Sequence, residues 1–574
     1  MRATRPTLVV AAAATALSLA WASAATAEEH PERQPPFGGE RPPALVEPGS
    51  GGERPAGFSI SAAEAIEISA ADETLREELE QTPAAEPTAF VRGQRWQVSW
   101  IDPQGREVAQ VIVDGASGEV EEAWRDFQVG SELARGYEGA VAQAVNSPWI
   151  WLPLCLLFLA PFFDPRRPFR LLHVDLLAVL ALSASLFFFN RAEITASVAL
   201  TYPVLGYLLA RMLAIGLWPR ERRASAGSLL PLAPVRWLVV GVVVLFAARV
   251  ALNVVDSQVI DIGVAGVVGA DRLADGAQLY DGGFSPGLDL RGDVYGPANY
   301  LAYTPFEQAS GWDGVWDGVP AAHAAAIAFD LACLAGLVLL GRRLRAGPEG
   351  RALGWALGFA WVACPWTLYT LNANANDALV AALGVGALVA LRLPPARGAL
   401  IALAAAAKFG SAALAPLFAT ADGERRWHGA MAFSIAFALV AAAVVLPFVP
   451  DGGLRELYDR TLGYQATRNS PFSVWGQAPS LDFLQSLARA AVVALALGVA
   501  FYPRSKTPVQ VAALAAAVTI AVQLTAAHWF YFYVVWFLPF VLVAGFAAHP
   551  RIAAGPERPE YENGPPKGPV PPTA

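Results

Sequence analysis

Two carboxylates, Asp256 and Asp261, stand just beyond an apolar run that closes Leu252-Asn253-Val254-Val255. An acid at the mouth of a membrane helix is a functional group by default, and a positioned carboxylate is suited to taking a proton from a hydroxyl. Lys408 interrupts another apolar run, and Arg468 lies in a later polar loop. Both types hold phosphate, the lysine as a point charge and the arginine as a planar fork. Tyr280, Tyr295, Asn299, Asn374, Asn376, Asp377, His528 and Trp529 supply aromatic, amide and acidic groups that can orient a polar substrate. The set fits a transfer in which a base activates a hydroxyl and a phosphate departs. Asp256 is expected to be the base and Asp261 secondary, because Asp256 closely follows a rigid helix.

Each of these residues has a plainer reading. Asp256 and Asp261 could be solvated loop acids, Lys408 could snorkel to the interface, and Arg468 and His528 could be surface groups. Trp529 belongs to an aromatic cluster of the kind that forms interface belts or cores. No His, Cys and carboxylate spacing marks a dedicated metal site, so no cofactor is expected; a divalent ion shared by Asp256 and Asp261 is the alternative.

These residues need a membrane to position them. The chain has 574 residues, 55% hydrophobic and 16% charged, with a mean hydropathy of +0.41. Runs such as Leu172 to Phe189, Trp237 to Val255 and Met431 to Phe448 approach or exceed the roughly 18 apolar residues that cross a bilayer. The fold class expected is a mainly α polytopic membrane protein with about 12–13 membrane segments. The net charge of −8 argues against a nucleic-acid partner. Cys155, Cys333 and Cys364 all lie in apolar stretches and offer neither a disulfide framework nor a paired metal motif.

Residues 1–27 have the anatomy of a secretory signal: Arg2 and Arg5, an apolar run, and Ala25-Thr26-Ala27 before Glu28. Residues 28–57, rich in Pro, Gly and Glu, read as a disordered spacer. A small α+β domain is expected over 58–125. Ser61-Ala62-Ala63-Glu64 is a capping box, and the alternating Trp96 to Ile101 and Glu107 to Val113 flank an Asp102-Pro103-Gln104-Gly105 turn. Trp96, that turn and Val113-Asp114-Gly115-Ala116-Ser117-Gly118-Glu119-Val120 resemble the PepSY domain. The resemblance implies a domain outside the membrane that regulates or binds a partner.

A linker at 126–147, three accessory helices at 148–218, a membrane core at 235–548 and a disordered tail at 549–574 complete the plan. Arginine-rich loops at 164–170, 218–236 and 341–351 are expected on the cytoplasmic side. That puts Val255–Gly318, the Asn372 to Asp377 turn and Pro450–Leu484 outside, with the exported domain. Arg392 and Arg397 on one flank and Arg425 and Arg426 on the other enclose a single apolar run. A re-entrant hairpin turning near Lys408 satisfies both ends, backbone of that kind being tolerated only against protein or water.

Val255-Asp256-Ser257-Gln258-Val259, Leu279-Tyr280-Asp281, Tyr295-Gly296-Pro297-Ala298-Asn299-Tyr300 and Thr304-Pro305-Phe306 resemble the first external loop of GT-C type glycosyltransferases. Ala406-Ala407-Lys408-Phe409 and Trp529-Phe530-Tyr531 to Trp536-Phe537-Leu538-Pro539 match that family in place and type, the likeness being to bacterial polyprenyl-phosphate-mannose-dependent mannosyltransferases. It implies a multi-pass cell-membrane enzyme with a polyprenyl-phosphate sugar donor, a glycan or glycolipid acceptor, an inverting transfer, and Asp256 as base. The accessory helices and the Asn372-Ala373-Asn374 turn depart from the family pattern. A transporter or flippase of a lipid-linked or small polar substrate is the competing reading, although no inverted repeat is visible. A PepSY-regulated sensor without catalysis is the third, and it leaves Lys408 idle.

Overall fold

Long apolar helices dominate the chain, as the runs of Leu, Val, Ala and Phe require. The computed structural model describes residues 45–553 apart from 104, 106, 126, 131, 136–140, 219–226, 282–283, 285–291, 317, 422–425 and 468–469. The signal anatomy, Arg468 and the tail beyond 553 lie outside the described residues.

The protein is a mainly α polytopic membrane protein. Leu171–Phe189, Ile194–Leu217, Val235–Val255, Pro320–Leu344, Trp427–Phe448 and Asp482–Phe501 are each long and apolar enough to cross a bilayer. Other apolar segments are shorter because the chain breaks them. Pro365 opens a new helix after Gly347–Ala363, since the residue before a proline avoids helical backbone. The Pro394–Ala407 helix ends at Lys408, whose backbone is extended.

That break makes the expected hairpin. After Lys408 come a 3₁₀ turn, Phe409–Leu414, and a short helix, Ala415–Ala419. Arg397, near the start of the outgoing helix, donates its Nε–H to the Phe418 carbonyl at 2.7 Å. The beginning and end of the segment therefore meet, and Lys408 stands at its far tip.

The arginine-rich loops gather at one end of the bundle. Ser228–Leu230 pairs in parallel with Arg551–Ala553, and Arg170 reaches both the Ser228 carbonyl and His549. Arg345 donates to the Ala547, His549 and Pro550 carbonyls. The tail is therefore ordered through residue 553, beyond the point at His549 where its composition suggested disorder; backbone pairing holds what side-chain burial does not. The accessory helices are built into the core: Trp366 donates its indole N–H to the Val179 carbonyl, and Tyr531 OH bonds Ser185 and Ser197.

The small domain has four antiparallel strands in sequence order, Glu86–Arg92, Arg95–Ile101, Glu107–Asp114 and Val120–Arg125. The capping box at Ser61 and Glu64 forms as read, opening the helix Ala62–Ala71. Trp96 pairs with Val113 and donates to the Ile60 carbonyl just ahead of the helix, while Trp100 donates to Ser69 within it, so the indoles fasten the sheet to the helix and its approach. Val46, assigned to the spacer, is bridged to Val91 by both its N–H and its carbonyl.

Candidate active site

The acidic loop is held by the turn that follows the Pro365–Asn372 helix. Asn372 donates to the Asp256 carbonyl at 2.7 Å, and the Gln258 and Ile260 N–H groups donate to the carbonyls of Asn372 and Ala373. Asn374 sits at φ +52°, a left-handed conformation that asparagine tolerates. Its amide donates to Ser257 and the Gln258 carbonyl and accepts from Asn253. Both amide donors and the oxygen are engaged by protein, so Asn374 positions the loop. Asn253 also donates to the Leu371 carbonyl, and His323 contacts both Asn253 and Ser257. Asn253 and His323 escaped the sequence reading, although a polar residue near the end of an apolar run was the available signal.

From this anchored segment the two acids diverge. Asp256 caps the Val235–Val255 helix, is exposed, and its carboxylate has no hydrogen bond or ion pair among the described residues. Asp261 opens the next helix, Asp261–Ala274, is exposed like Asp256, and is near enough to Lys408 to couple to it electrostatically. A close approach makes this possible. Gly263 lies where a Cβ would come within 2.7 Å of the Asn374 carbonyl, and Gly266 and Gly269 admit Tyr303 and Tyr300 of Pro297–Ser310.

Lys408 is the centre of the arrangement. Its Nζ donates to Asp377 Oδ1 at 2.6 Å, and the same oxygen accepts the Trp536 indole N–H at 2.7 Å. The rings of Tyr295, Tyr533 and Trp536 lie 5.8, 5.7 and 5.3 Å from the ammonium, in cation–π range. The tip of the hairpin also touches the acidic loop: a Cβ on Gly296 would fall 1.9 Å from the Ala406 carbonyl oxygen. Only glycine permits that packing.

Behind the lysine is a buried polar set. Asn376 donates to Asn299 at 2.6 Å, yet Asn299 Nδ2, Asn376 Oδ1, Asp377 Oδ2 and Tyr303 OH have no hydrogen-bond partner among the described residues. Buried polar atoms of this kind are costly, and several together call for an explanation. Tyr280 is buried and donates to the Tyr295 carbonyl, so it supports Tyr295. Elsewhere in the loop, burial and then the neighbouring charge of Asp275 push the Asp271 carboxyl above the usual range; burial, then Asp271 and Asp275, do the same to Glu307.

The other expected contacts stand behind Tyr533 of the aromatic wall: the His528 ring lies 6.3 Å from the Tyr533 ring, and Gln523, which Trp529 engages, donates to the Tyr533 carbonyl. His528 bonds Ser470 at 2.8 Å, and Trp529 is buried with its indole N–H on Gln523. Trp529 is thus a core residue, its polar edge already satisfied. Among the described residues no group of three or more His, Cys, Asp or Glu side chains could hold a metal.

The arrangement joins a cation in a helix break, an aromatic wall, unpaired amide and hydroxyl groups and nearby carboxylates. No curated protein matches the chain. Residues 294–549, which include Tyr295, Asn299, Asn376, Asp377 and Lys408, match the family model of Glycosyltransferase family 87, and this match supports a glycosyltransferase.

Proposed function

We propose that the protein transfers a sugar from a polyprenyl-phosphate donor to a hydroxyl acceptor at the outer face of the cytoplasmic membrane, with inversion. The observation that supports this reading is Lys408, a cation buried at a helix break and in contact with Tyr295 of the acidic loop. An ammonium has three N–H donors. Asp377 is its one hydrogen-bond acceptor among the described residues, so the remaining donors are available to phosphate oxygens. The unpaired atoms of Asn299, Asn376 and Tyr303 suit the hydroxyls of a sugar.

In the reaction the acceptor hydroxyl oxygen attacks the anomeric carbon from the face opposite the phosphate. The bond from that carbon to the phosphate oxygen breaks, and the electron pair leaves with polyprenyl phosphate beside Lys408. A carboxylate of the loop takes the hydroxyl proton. Both acids are exposed at helix ends; Asp261 is the stronger candidate because its helix packs on the asparagine turn through Gly263 and its charge couples to Lys408, and Asp256 is the alternative. A mannose-like hexose, a glycan or glycolipid acceptor and regulation through a PepSY-like exported domain follow from resemblance and belong to the same proposal.

Two measurements test it. Purified protein in proteoliposomes should transfer sugar from polyprenyl-phosphate hexoses and not from nucleotide sugars; the reverse preference rejects the donor. Single cysteines placed at the exposed positions Gln308 and Arg392, in a background lacking the three native cysteines, report sidedness. Membrane-impermeant reagent added to intact cells should label position 308 and spare 392, and the opposite pattern inverts the topology.

A further inference from the structure

Residues 126–147 are expected to be a linker, yet Val141–Asn146 within them enters the core. Val141, Ala142 and Val145 are buried within the main hydrophobic cluster, and Gln143–Asn146 forms a short helix packed against Pro365–Asn372, the helix that leads into the asparagine turn. Ala142 lies at φ 52°, ψ 51°, a left-handed backbone that alanine rarely adopts. Strain of this kind persists only where the surroundings over-determine it. The conformation aims the Ala142 N–H at Gln258 Oε1, 2.9 Å away.

Gln258 lies within the four-residue segment between the two aspartates. Its N–H donates to the Asn372 carbonyl, its own carbonyl accepts from Asn374, and its side chain accepts from Ala142. The turn therefore grips this residue from one side and the linker from the other.

We propose that Val141–Asn146 and Gln258 form a clamp that positions the Asp256–Asp261 loop and with it the reacting carboxylate. Gln258 is a positioning residue and acts through the loop. This rests on the glycosyl-transfer reading for its consequence, but the clamp itself has an independent readout.

The test uses full-length protein in nanodiscs with two variants. Gln258→Leu removes the acceptor, whereas Gln258→Glu keeps an oxygen for the Ala142 N–H. Amide hydrogen exchange across residues 256–262 should quicken in Gln258→Leu and stay at the parent rate in Gln258→Glu. In transfer assays Gln258→Leu should lower kcat roughly 10- to 100-fold with donor KM changed by less than about threefold, the cost of misplacing a reacting group; Gln258→Glu should restore kcat. Should Gln258→Leu fail to fold, Gln258→Asn, one methylene too short to reach Ala142, gives the same reading. Unchanged exchange in the shortened or apolar variant, or an equal defect in Gln258→Glu, overturns the clamp. A parent that transfers no sugar from polyprenyl phosphate while the exchange difference persists refutes the functional reading and leaves the clamp standing.

Discussion

Replacing Lys408 by Met is expected to abolish donor binding and to destabilise the protein. From sequence alone the variant should fold well, because a lone ammonium in an apolar run costs about 2.5–3.5 kcal/mol to insert. The structure reverses the folding part. Lys408 neutralises Asp377, which is fully buried with one oxygen already unpaired. Breaking a buried pair by removing one partner typically costs about 3–5 kcal/mol, because the remaining charge is stranded. The double variant Lys408→Met, Asp377→Asn removes both charges and keeps an acceptor for the Trp536 indole. It should recover most of the thermal stability of the solubilised protein without recovering affinity for polyprenyl phosphate. Binding equal to the parent in that double variant would take the phosphate role away from Lys408.

The second large effect separates the two acids. Asp261→Asn should lower transfer by about 10²- to 10⁴-fold, the usual contribution of a positioned base, with donor binding and membrane abundance near those of the parent. Asp256→Asn should leave measurable activity, because that carboxylate engages nothing among the described residues, whereas Asp261, although also exposed, couples to Lys408. This order is opposite to the one expected from the sequence, where the helix end looked like the more rigid support. The structure supplies rigidity at both positions, through the asparagine turn at Asp256 and a new helix at Asp261. Both side chains are exposed, and the electrostatic coupling of Asp261 to Lys408 is what separates them. An active Asp261→Asn enzyme with a dead Asp256→Asn would return the role to Asp256.

Several features were determined by the sequence itself. Hydropathy settled the polytopic class, since runs of Leu, Val and Phe in this number have no other stable environment. Local chemistry settled the capping box at Ser61, the Trp96–Val113 hairpin and the helix break at Lys408, where arginines on both flanks of one apolar run demanded a return. Local signals of this kind survive because only near neighbours satisfy them.

Tertiary structure alone decided which polar residues meet. Asn374 and Tyr280 looked like substrate contacts, yet their hydrogen bonds go to the protein. Trp536 and Tyr533 closed around Lys408 from more than a hundred residues away in the chain, and Asp377 became its counter-ion. No periodicity encodes such contacts, because a buried polar group takes its partner from whichever helix packs against it. The Ala142 contact is the extreme case: an apolar residue in a supposed linker acquired its role solely from a backbone N–H, which every residue but proline carries and no composition reveals.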